Sequence, residues 1–212
     1  MLVRLQAAAI ACLLLVGGVR VATYSDPAPD RTGRQVWEQL LNIRSARVRM
    51  ASDRSVAGRA PERITVAGVI ETAARRTSLV VQRDGRRIYD EVTTDVTVYV
   101  RPGAKWYRFV RAADDPDRPL FVLTLLADAG RLVPRGQEDV DFVQTTRYAA
   151  TARGLALDLW LDHDGLPRRI VIYEGPNTRT VVLSDFLSGQ PVAVPAGAVS
   201  VADLAAALKA AA

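Results

Sequence analysis

The sequence predicts an α+β fold in which one large curved antiparallel sheet, a half-barrel, carries helices packed on its concave face. Stretches of alternating apolar and polar residues, separated by turn residues, fall into two groups of about four strands each. A segment that is apolar nearly all round separates the two groups, and a short helical pattern stands at either end. With 212 residues, of which 49% are hydrophobic, the chain is long enough to bury the core of one such domain.

The N-terminus has the anatomy of an export segment. Arg4 precedes an apolar run from Leu5 to Val19, and a polar segment with prolines follows. We therefore expect residues 1–22 to be a signal peptide or an N-terminal membrane anchor, residues 23–33 to be a linker, and residues 34–212 to fold on the extracytoplasmic side. The apolar run is shorter than the about 20 residues that a spanning helix needs, so cleavage and retention both stay open.

The only cysteine, Cys12, lies inside that apolar run. The folded domain is therefore expected to hold no disulfide and to rely on its core. The phrase "AIAC" resembles a lipid-attachment motif, but lipidation there would leave the apolar "LLLVGGV" on the mature protein. We interpret Cys12 as an apolar residue of the membrane segment.

The first half of the domain begins with a helix and continues with strands. Thr32 is placed to cap a helix through "GRQVWEQLLNI", whose apolar residues recur at helical spacing. Strands follow from Ser45, and "RDGR" and "RPGAK" are typical of hairpin turns. One of these strands is expected to place four valines on one face and polar residues on the other. The four valines are Val92, Val96, Val98 and Val100.

The centre of the chain, from about Pro119 to Leu132, is predicted to be a helix with proline in its first turn. Because it has almost no polar face, it is expected to be buried or to border an apolar cavity. Strands resume at "DVDFVQTTRYAATA" and continue through "LALDLWLDHDGLPRRIVIYEG" and "TRTVVLSDF". A proline-punctuated edge segment, "SGQPVAVPAG", and an alanine-rich helix after Asp203 complete the domain.

The stretch Asp162-His163-Asp164 holds the only histidine and invites three interpretations: a metal site, an acid–base group or a hairpin tip. Consecutive residues of a strand point to opposite faces, and a calcium loop would need oxygen ligands where Arg168 and Arg169 stand. A turn at Asp164-Gly165 between two alternating strands explains the stretch best. We therefore expect no metal here.

Catalytic and nucleic-acid motifs do not stand out in the sequence. It contains no G-x-S-x-G nucleophile elbow and no glycine-rich phosphate loop in the domain, although spacing alone leaves carboxylate pairs open. The net charge of +5 comes mostly from arginines that are scattered among acids, which is typical of a solvated surface. We expect no enzyme, no cofactor and no nucleic-acid partner.

Three phrases of the second half carry a resemblance: "TTRYAATA" (145–152), "DLWLDHDGLPRRIVI" (158–172) and "VVLSDFLSGQPVAVP" (181–195). In their order and wording they resemble the actinobacterial LprG/LppX-type lipoproteins and, more distantly, the LolA-like carrier fold. The resemblance implies a half-barrel whose concave face and helices enclose a cavity for acyl chains. It also implies a role in carrying or sensing lipids at the cell envelope. The sequence departs from many relatives in lacking a lipid-attachment motif at the end of the export segment, so a protein anchor is the alternative to acyl anchoring.

Apolar side chains of the predicted helices and strands are the candidates for lining such a cavity. They are Trp37, Leu41, Val96, Val98, Val100, Leu120, Leu123, Leu126, Leu157, Leu159 and Leu161. The alternative for each is that it fills a closed core, because core residues greatly outnumber ligand contacts. Two further functions stay open: an envelope scaffold or regulatory module that binds a protein partner through the same fold, and, with least support, an enzyme that uses His163.

Overall fold

The structure is a computed structural model that describes residues 30–55, 61–110, 118–186, 189 and 191–211. Within these residues there are three helices: α1 (Gly33–Leu41), α2 (Pro119–Asp128) and α3 (Leu204–Ala211). Before α2 the strands are β1 (Arg31–Thr32), β2 (Ala46–Arg54), β3 (Glu62–Glu71), β4 (Arg76–Arg83), β5 (Arg86–Thr93), β6 (Thr97–Arg101) and β7 (Tyr107–Val110). After α2 they are β8 (Arg131–Val140), β9 (Val143–Ala152), β10 (Leu155–Leu161), β11 (Pro167–Glu174), β12 (Asn177–Ser184) and β13 (Val199–Ser200).

All these strands join one open sheet in the order β1-β8-β9-β10-β11-β12-β2-β3-β4-β5-β6-β7-β13. The sheet consists of two meanders, β2 to β7 and β8 to β12, which meet where β12 pairs with β2. Every pairing is antiparallel except the short β7–β13 contact. The predicted α+β fold, a curved antiparallel sheet with helices on one face, is confirmed.

Helix α1 forms as predicted, because its start is capped. The Thr32 side chain accepts a hydrogen bond from the Gln35 backbone N–H (3.3 Å), and the Gln35 side chain accepts one from the Thr32 N–H (2.8 Å). Val36 and Leu40 lie one turn apart and are fully buried. The Gly33 N–H donates to the carbonyl oxygens of Ala129 (3.2 Å) and Gly130 (3.0 Å), which ties the start of α1 to the end of α2.

Helix α2 is shorter than predicted. It begins at Pro119 as expected but ends at Asp128, because Ala129 is extended (φ −73°, ψ 125°) and β8 begins at Arg131. One side of α2 is fully buried in the core, whereas Leu120, Phe121 and Thr124 on the other side are half-buried. The fully buried members are Val122, Leu123, Leu125 and Leu126.

Strand β8 is missing from the sequence prediction, and the two meanders contain six and five strands instead of about four each. Only Leu132 and Val140 of β8 are buried, so the strand lacks alternating apolar residues. The pairing of β8 with β9 shifts register between Pro134 and Gly136. Proline and glycine are typical of edge strands and bulges, which explains why the pattern indicates no strand.

The prediction that Val92, Val96, Val98 and Val100 share one face of a strand is wrong. The chain reverses between β5 and β6, where the Thr94 N–H donates to the Thr97 carbonyl oxygen (2.9 Å). Val92 pairs with Tyr99, whereas Glu91 pairs with Val100, so Val92 and Val100 lie on opposite faces. Val96 lies in the bend and is 49% exposed.

The export segment, its anchor and Cys12 lie outside the described residues. Arg31 and Thr32, which the sequence assigns to the linker, pair with Leu132 and Arg131 of β8 and therefore belong to the folded domain. Among the helices of the described ranges, none has the length and apolar character needed to cross a membrane.

Candidate functional site

The inner face of the sheet is the one against which α1 and α2 pack. On β10 it carries the predicted leucines Leu157, Leu159 and Leu161, each at most 2% exposed. The two isoleucines Ile170 and Ile172 face inward from β11. These side chains and those of α2 belong to one continuous core of buried residues, which extends to Val66, Leu79 and Val81 of β3 and β4.

A cavity of about 240 Å³ lies on another part of the inner face, between β3, β4, β5 and helix α3. Leu204 and Leu208, one turn apart on α3, cover it. Its apolar lining consists of Ile64, Val66, Leu79, Val81, Ile88, Tyr89, Leu204 and Leu208. The cavity is therefore walled largely by apolar side chains of two elements that are far apart in the chain.

Four charged residues complete the lining: Arg54, Arg83, Glu91 and Arg118. Strand register places them at two ends of the cavity. Arg83 lies opposite Ile64 near the β4–β5 hairpin, whereas Glu91 lies opposite Leu79, four residues along β4. Glu91 and Arg118 are only 5% and 6% exposed, and the Arg83 side chain is 57% exposed. One end of the cavity thus reaches solvent among arginines, and the other ends at buried charges.

Arg118 reaches the cavity because it is the N-cap residue of α2. Its carbonyl oxygen accepts hydrogen bonds from the backbone N–H groups of Phe121 (3.0 Å) and Val122 (3.4 Å). The helix therefore fixes the position of the Arg118 backbone. The same helix fills the closed core with its leucines and presents a charged residue to the cavity.

Helix α3 is held over the sheet by a small set of contacts. β13 leads into it and pairs with β7 through Val199 and Ser200 alone. The Tyr107 hydroxyl donates to the Ala210 carbonyl oxygen (3.1 Å). A second, smaller core joins the helix to β6 and β7 through Val98, Val100, Tyr107, Phe109 and Ala207.

None of the eleven sequence-predicted lining residues borders this cavity. Leu123, Leu126, Leu157, Leu159 and Leu161 lie in the closed core, and Trp37 and Leu120 pack against it half-buried. Leu41 is half-buried at the end of α1. Val98 and Val100 belong to the smaller core, and Val96 is exposed. Their role as ligand contacts stays a prediction.

The residues that line the cavity had a weak sequence signal. Ile64 and Val66 alternate in "RITV", and Leu79 and Val81 alternate in "SLVV", which indicates that they face one side of the sheet. Alternation cannot tell which part of that side a helix will fill. The position of α3, which decides it, depends on a two-residue pairing with β7 that is nearly a hundred residues away in the chain.

The Asp162-His163-Asp164 stretch is the tip of the β10–β11 hairpin, as predicted. The loop is longer than a two-residue turn, because the Leu166 carbonyl oxygen accepts from the Asp162 N–H (3.0 Å). The buried Asp162 carboxylate accepts from the Leu166 N–H (2.9 Å) and from Arg168 Nε (2.7 Å). The His163 side chain is 85% exposed, with Nε2 3.3 Å from Asp164 Oδ1.

Ligand atoms of these three residues come within 4.8 Å of one another, as a cation site would require. The Asp162 oxygens already accept hydrogen bonds from the Leu166 N–H and from Arg168, however, and the Arg168 guanidinium repels a cation. The cluster is best explained as a structural loop. The expectation that no metal binds here stays a prediction.

The phrases that carry the family resemblance contact one another. Trp160 lies between Arg147 and Arg169, with each guanidinium carbon 5.1 Å from its ring. Arg147 donates to Asp158 (2.6 Å), and this hydrogen bond raises the pKa of the Arg147 guanidinium above its ordinary value. Arg168 lies 4.6 Å from the Phe186 ring of the "SDF" phrase. The phrases therefore stabilise the fold of the sheet rather than form the cavity.

Tyr173 completes this cluster on the outer face of the sheet. Its hydroxyl donates to Asp158 Oδ2 (3.0 Å). Burial, together with the hydrogen bond to the Asp158 carboxylate, raises the pKa of Tyr173 above its ordinary value. The hydroxyl stays protonated and able to donate throughout the neutral pH range.

Comparison with known proteins gives structural matches only. No protein-family model matches the chain, and neither does any curated protein sequence. The crystal structure of the Mycobacterium tuberculosis lipoprotein LppX is 15% identical and has a TM-score of 0.57, covering 76% of this chain and 95% of LppX. LprF from Mycobacterium bovis is also 15% identical, with a TM-score of 0.50 and coverage of 78% and 97%. The likeness confirms the fold type implied by the sequence resemblance.

Proposed function

We propose that the protein binds acyl chains, or similar long apolar ligands, in the cavity beneath α3, and acts as a carrier or sensor without covalent chemistry. The observation that carries this proposal is the cavity of about 240 Å³ in an otherwise closed core. Its apolar walls belong to a fold similar to that of a mycobacterial lipoprotein. Affinity would come from the removal of methylene groups from water, about 0.8 kcal/mol for each.

The size of the cavity sets a condition on this function. Pockets for small molecules usually measure about 300–1,000 Å³, so a volume of 240 Å³ holds only a short apolar segment. A longer chain would enter as α3 moves away from β4 and β5, because α3 covers the cavity with Leu204 and Leu208 alone. The few contacts that hold α3 make it the element that opens at the lowest cost in free energy.

The proposed location is the extracytoplasmic face of the cell membrane or the cell envelope. The support is the export-like segment 1–22, with its apolar run from Leu5 to Val19. LppX, which has a similar fold, is itself a lipoprotein. Whether segment 1–22 is cleaved is decided by the N-terminal sequence and mass of the protein purified from membranes.

The direct test is native mass spectrometry of the protein from its own host, followed by titration with a fluorescent acyl probe. We expect a co-purified lipid and saturable probe uptake. Val81 lines the cavity, so Val81→Trp should fill it and abolish uptake. Val96 is 49% exposed, so Val96→Trp is the matched control and should leave uptake unchanged. A protein that carries no lipid and takes up no probe would overturn the proposal.

A second candidate, an envelope module that binds a protein partner, is favoured by a groove on the outer face. This groove of about 580 Å³ lies between β3 to β6 and the segment 191–195, and it is lined by Val80, Val92, Trp106 and Val192 among others. Substitutions at two neighbouring residues of β4 distinguish the two candidate functions, because Val80 lines the groove and Val81 lines the cavity. Val80→Asp should abolish partner binding and leave probe uptake intact.

A further inference from the structure

We infer that the cavity selects anionic amphiphiles, with the headgroup held by Arg54 and Arg83 at its open end and the tail beneath α3. This inference rests on the proposed function and names the class of its ligand. The headgroup chemistry is that of a carboxylate or a phosphate, because the guanidinium fork matches either group with two parallel hydrogen bonds.

Strand register places the two arginines side by side on the inner face. Ile64 of β3 lies opposite Arg83 of β4 on one side and opposite Ser52 of β2 on the other. Arg54, two residues beyond Ser52 in β2, has the same inward orientation as Ser52. Both arginines border the cavity at the end nearest the β4–β5 hairpin.

The Arg83 side chain is accessible to a headgroup. It is 57% exposed, and its Nε lies 2.5 Å from Glu62 Oε1. A guanidinium carries five N–H donors, so the contact with Glu62 leaves donors that a headgroup oxygen can share. The arginine can therefore bind an anion without first breaking its ion pair.

The charge of the lining favours anions as well. Three arginines and one glutamate border the cavity, and Glu62 pairs with Arg83 at its rim, so three positive and two negative charges leave a formal charge of +1. Apolar walls of low polarisability strengthen the field of such charges in the space between them. An ammonium headgroup is repelled, and a neutral headgroup gains nothing from this field.

The two ends of the cavity set the orientation of the ligand. Glu91 and Arg118 at the inner end have opposite charges and are 5% and 6% exposed, so a headgroup there would lose its water without a net attracting charge. At the outer end, Arg54 and Arg83 carry two positive charges against the one negative charge of Glu62, and the Arg83 side chain is 57% exposed. The headgroup therefore belongs at the outer end and the acyl tail points inward.

The test uses the full chain in phosphatidylcholine nanodiscs, with a fluorescent acyl probe in the cavity and empty nanodiscs as background. Hexadecanoate and hexadecanol, which share one tail, compete for the probe. We expect hexadecanoate to displace it at about tenfold lower concentration, which corresponds to about 1.4 kcal/mol. The double variant Arg54→Gln/Arg83→Gln should lose this preference while hexadecanol still competes.

Matched controls lie on the opposite face of the sheet, on β2 and β3. Arg49→Gln on β2 and Arg63→Gln on β3 each remove an exposed arginine that pairs with an aspartate, and both should keep the preference. Equal displacement by acid and alcohol, or an effect of the control variants as large as that of the double variant, overturns the headgroup inference and leaves acyl binding standing. If neither hexadecanoate nor hexadecanol displaces the probe, the proposed function itself is overturned. Displacement by inorganic phosphate alone overturns the inference, because it shows an anion site that needs no tail.

Discussion

The two halves of the sheet's inner face are covered by helices of different composition. Over β8 to β12 and β2, which we call the closed half, α2 contributes three fully buried leucines and one fully buried valine, and α1 packs beside it. Over β3 to β7, the cavity half, α3 contributes only Leu204 and Leu208 among alanines and one lysine. Large side chains fill the space above a curved sheet, and alanines leave it open. The size of the helix side chains therefore decides where this sheet holds a cavity.

The first prediction measures that difference in free energy of unfolding. Leu123→Ala in the closed half should destabilise the protein by about 2–5 kcal/mol, because it opens a void that the packed neighbours cannot fill. Leu208→Ala enlarges an existing cavity at a half-buried position and should cost less than about 1 kcal/mol. Urea denaturation of the two variants gives both values, and equal losses would contradict the distinction between the halves.

The closed half was largely predictable from the sequence, because its signals are local. Thr32 and Gln35 form the predicted cap, and Leu157, Leu159 and Leu161 keep the predicted spacing in a strand buried on both faces. Asp164-Gly165 marks the predicted hairpin tip. Each of these features depends on residues close together in the chain.

The cavity half was not predictable in the same way, because its geometry depends on distant residues. A bend at Asp95 and Val96 interrupts what looked like one run of alternating valines. The cavity exists because Val199 and Ser200 carry α3 back to β7. A two-residue strand has no detectable pattern of its own, so the sequence could not indicate what covers Val81.

The second prediction concerns the outer face of the cavity half, where Asp90 is held by Arg87 and Arg101. Burial would raise the pKa of Asp90, but the hydrogen bonds and charges of the two arginines outweigh it and hold the pKa below its ordinary value. This stabilisation is present above the unfolded-state pKa of about 3.9 and is lost as the pH falls through the lower folded-state pKa.

Asp90→Asn should therefore lower the free energy of unfolding by about 1–2 kcal/mol at neutral pH, the lower part of the range for charged hydrogen bonds, because both arginines are partly exposed. The difference from the wild-type protein should shrink in acid, as urea titrations along a pH series would reveal. Asp185→Asn removes an exposed pair with Arg47 and should change little at any pH. A loss for Asp90→Asn that does not depend on pH would contradict the assignment.

The third prediction tests how firmly α3 is held. Tyr107→Phe removes the hydroxyl that donates to Ala210 and should weaken the attachment of α3 by about 0.5–1.5 kcal/mol. Backbone amides of α3 should then exchange several-fold faster, with α1 and α2 unchanged, and the acyl probe should enter faster. Tyr99→Phe on the other face of the neighbouring strand is the control. Unchanged exchange in Tyr107→Phe would mean that the smaller core alone holds the helix.

The smallest effect is expected for a substitution of His163, the only histidine of the sequence, which lies in the closed half. His163 is 85% exposed at the hairpin tip, where its Nε2 lies 3.3 Å from Oδ1 of the neighbouring Asp164. His163→Ala should therefore change the free energy of unfolding by less than about 0.5 kcal/mol. Probe uptake should also stay at the wild-type level, since the cavity lies on the other half of the sheet. Asp162→Ala is the positive control, because it leaves Arg168 and the Leu166 N–H without their acceptor and should cost about 1–3 kcal/mol. A loss of uptake in His163→Ala with stability unchanged would instead assign the histidine to the function, and the two halves would no longer be independent.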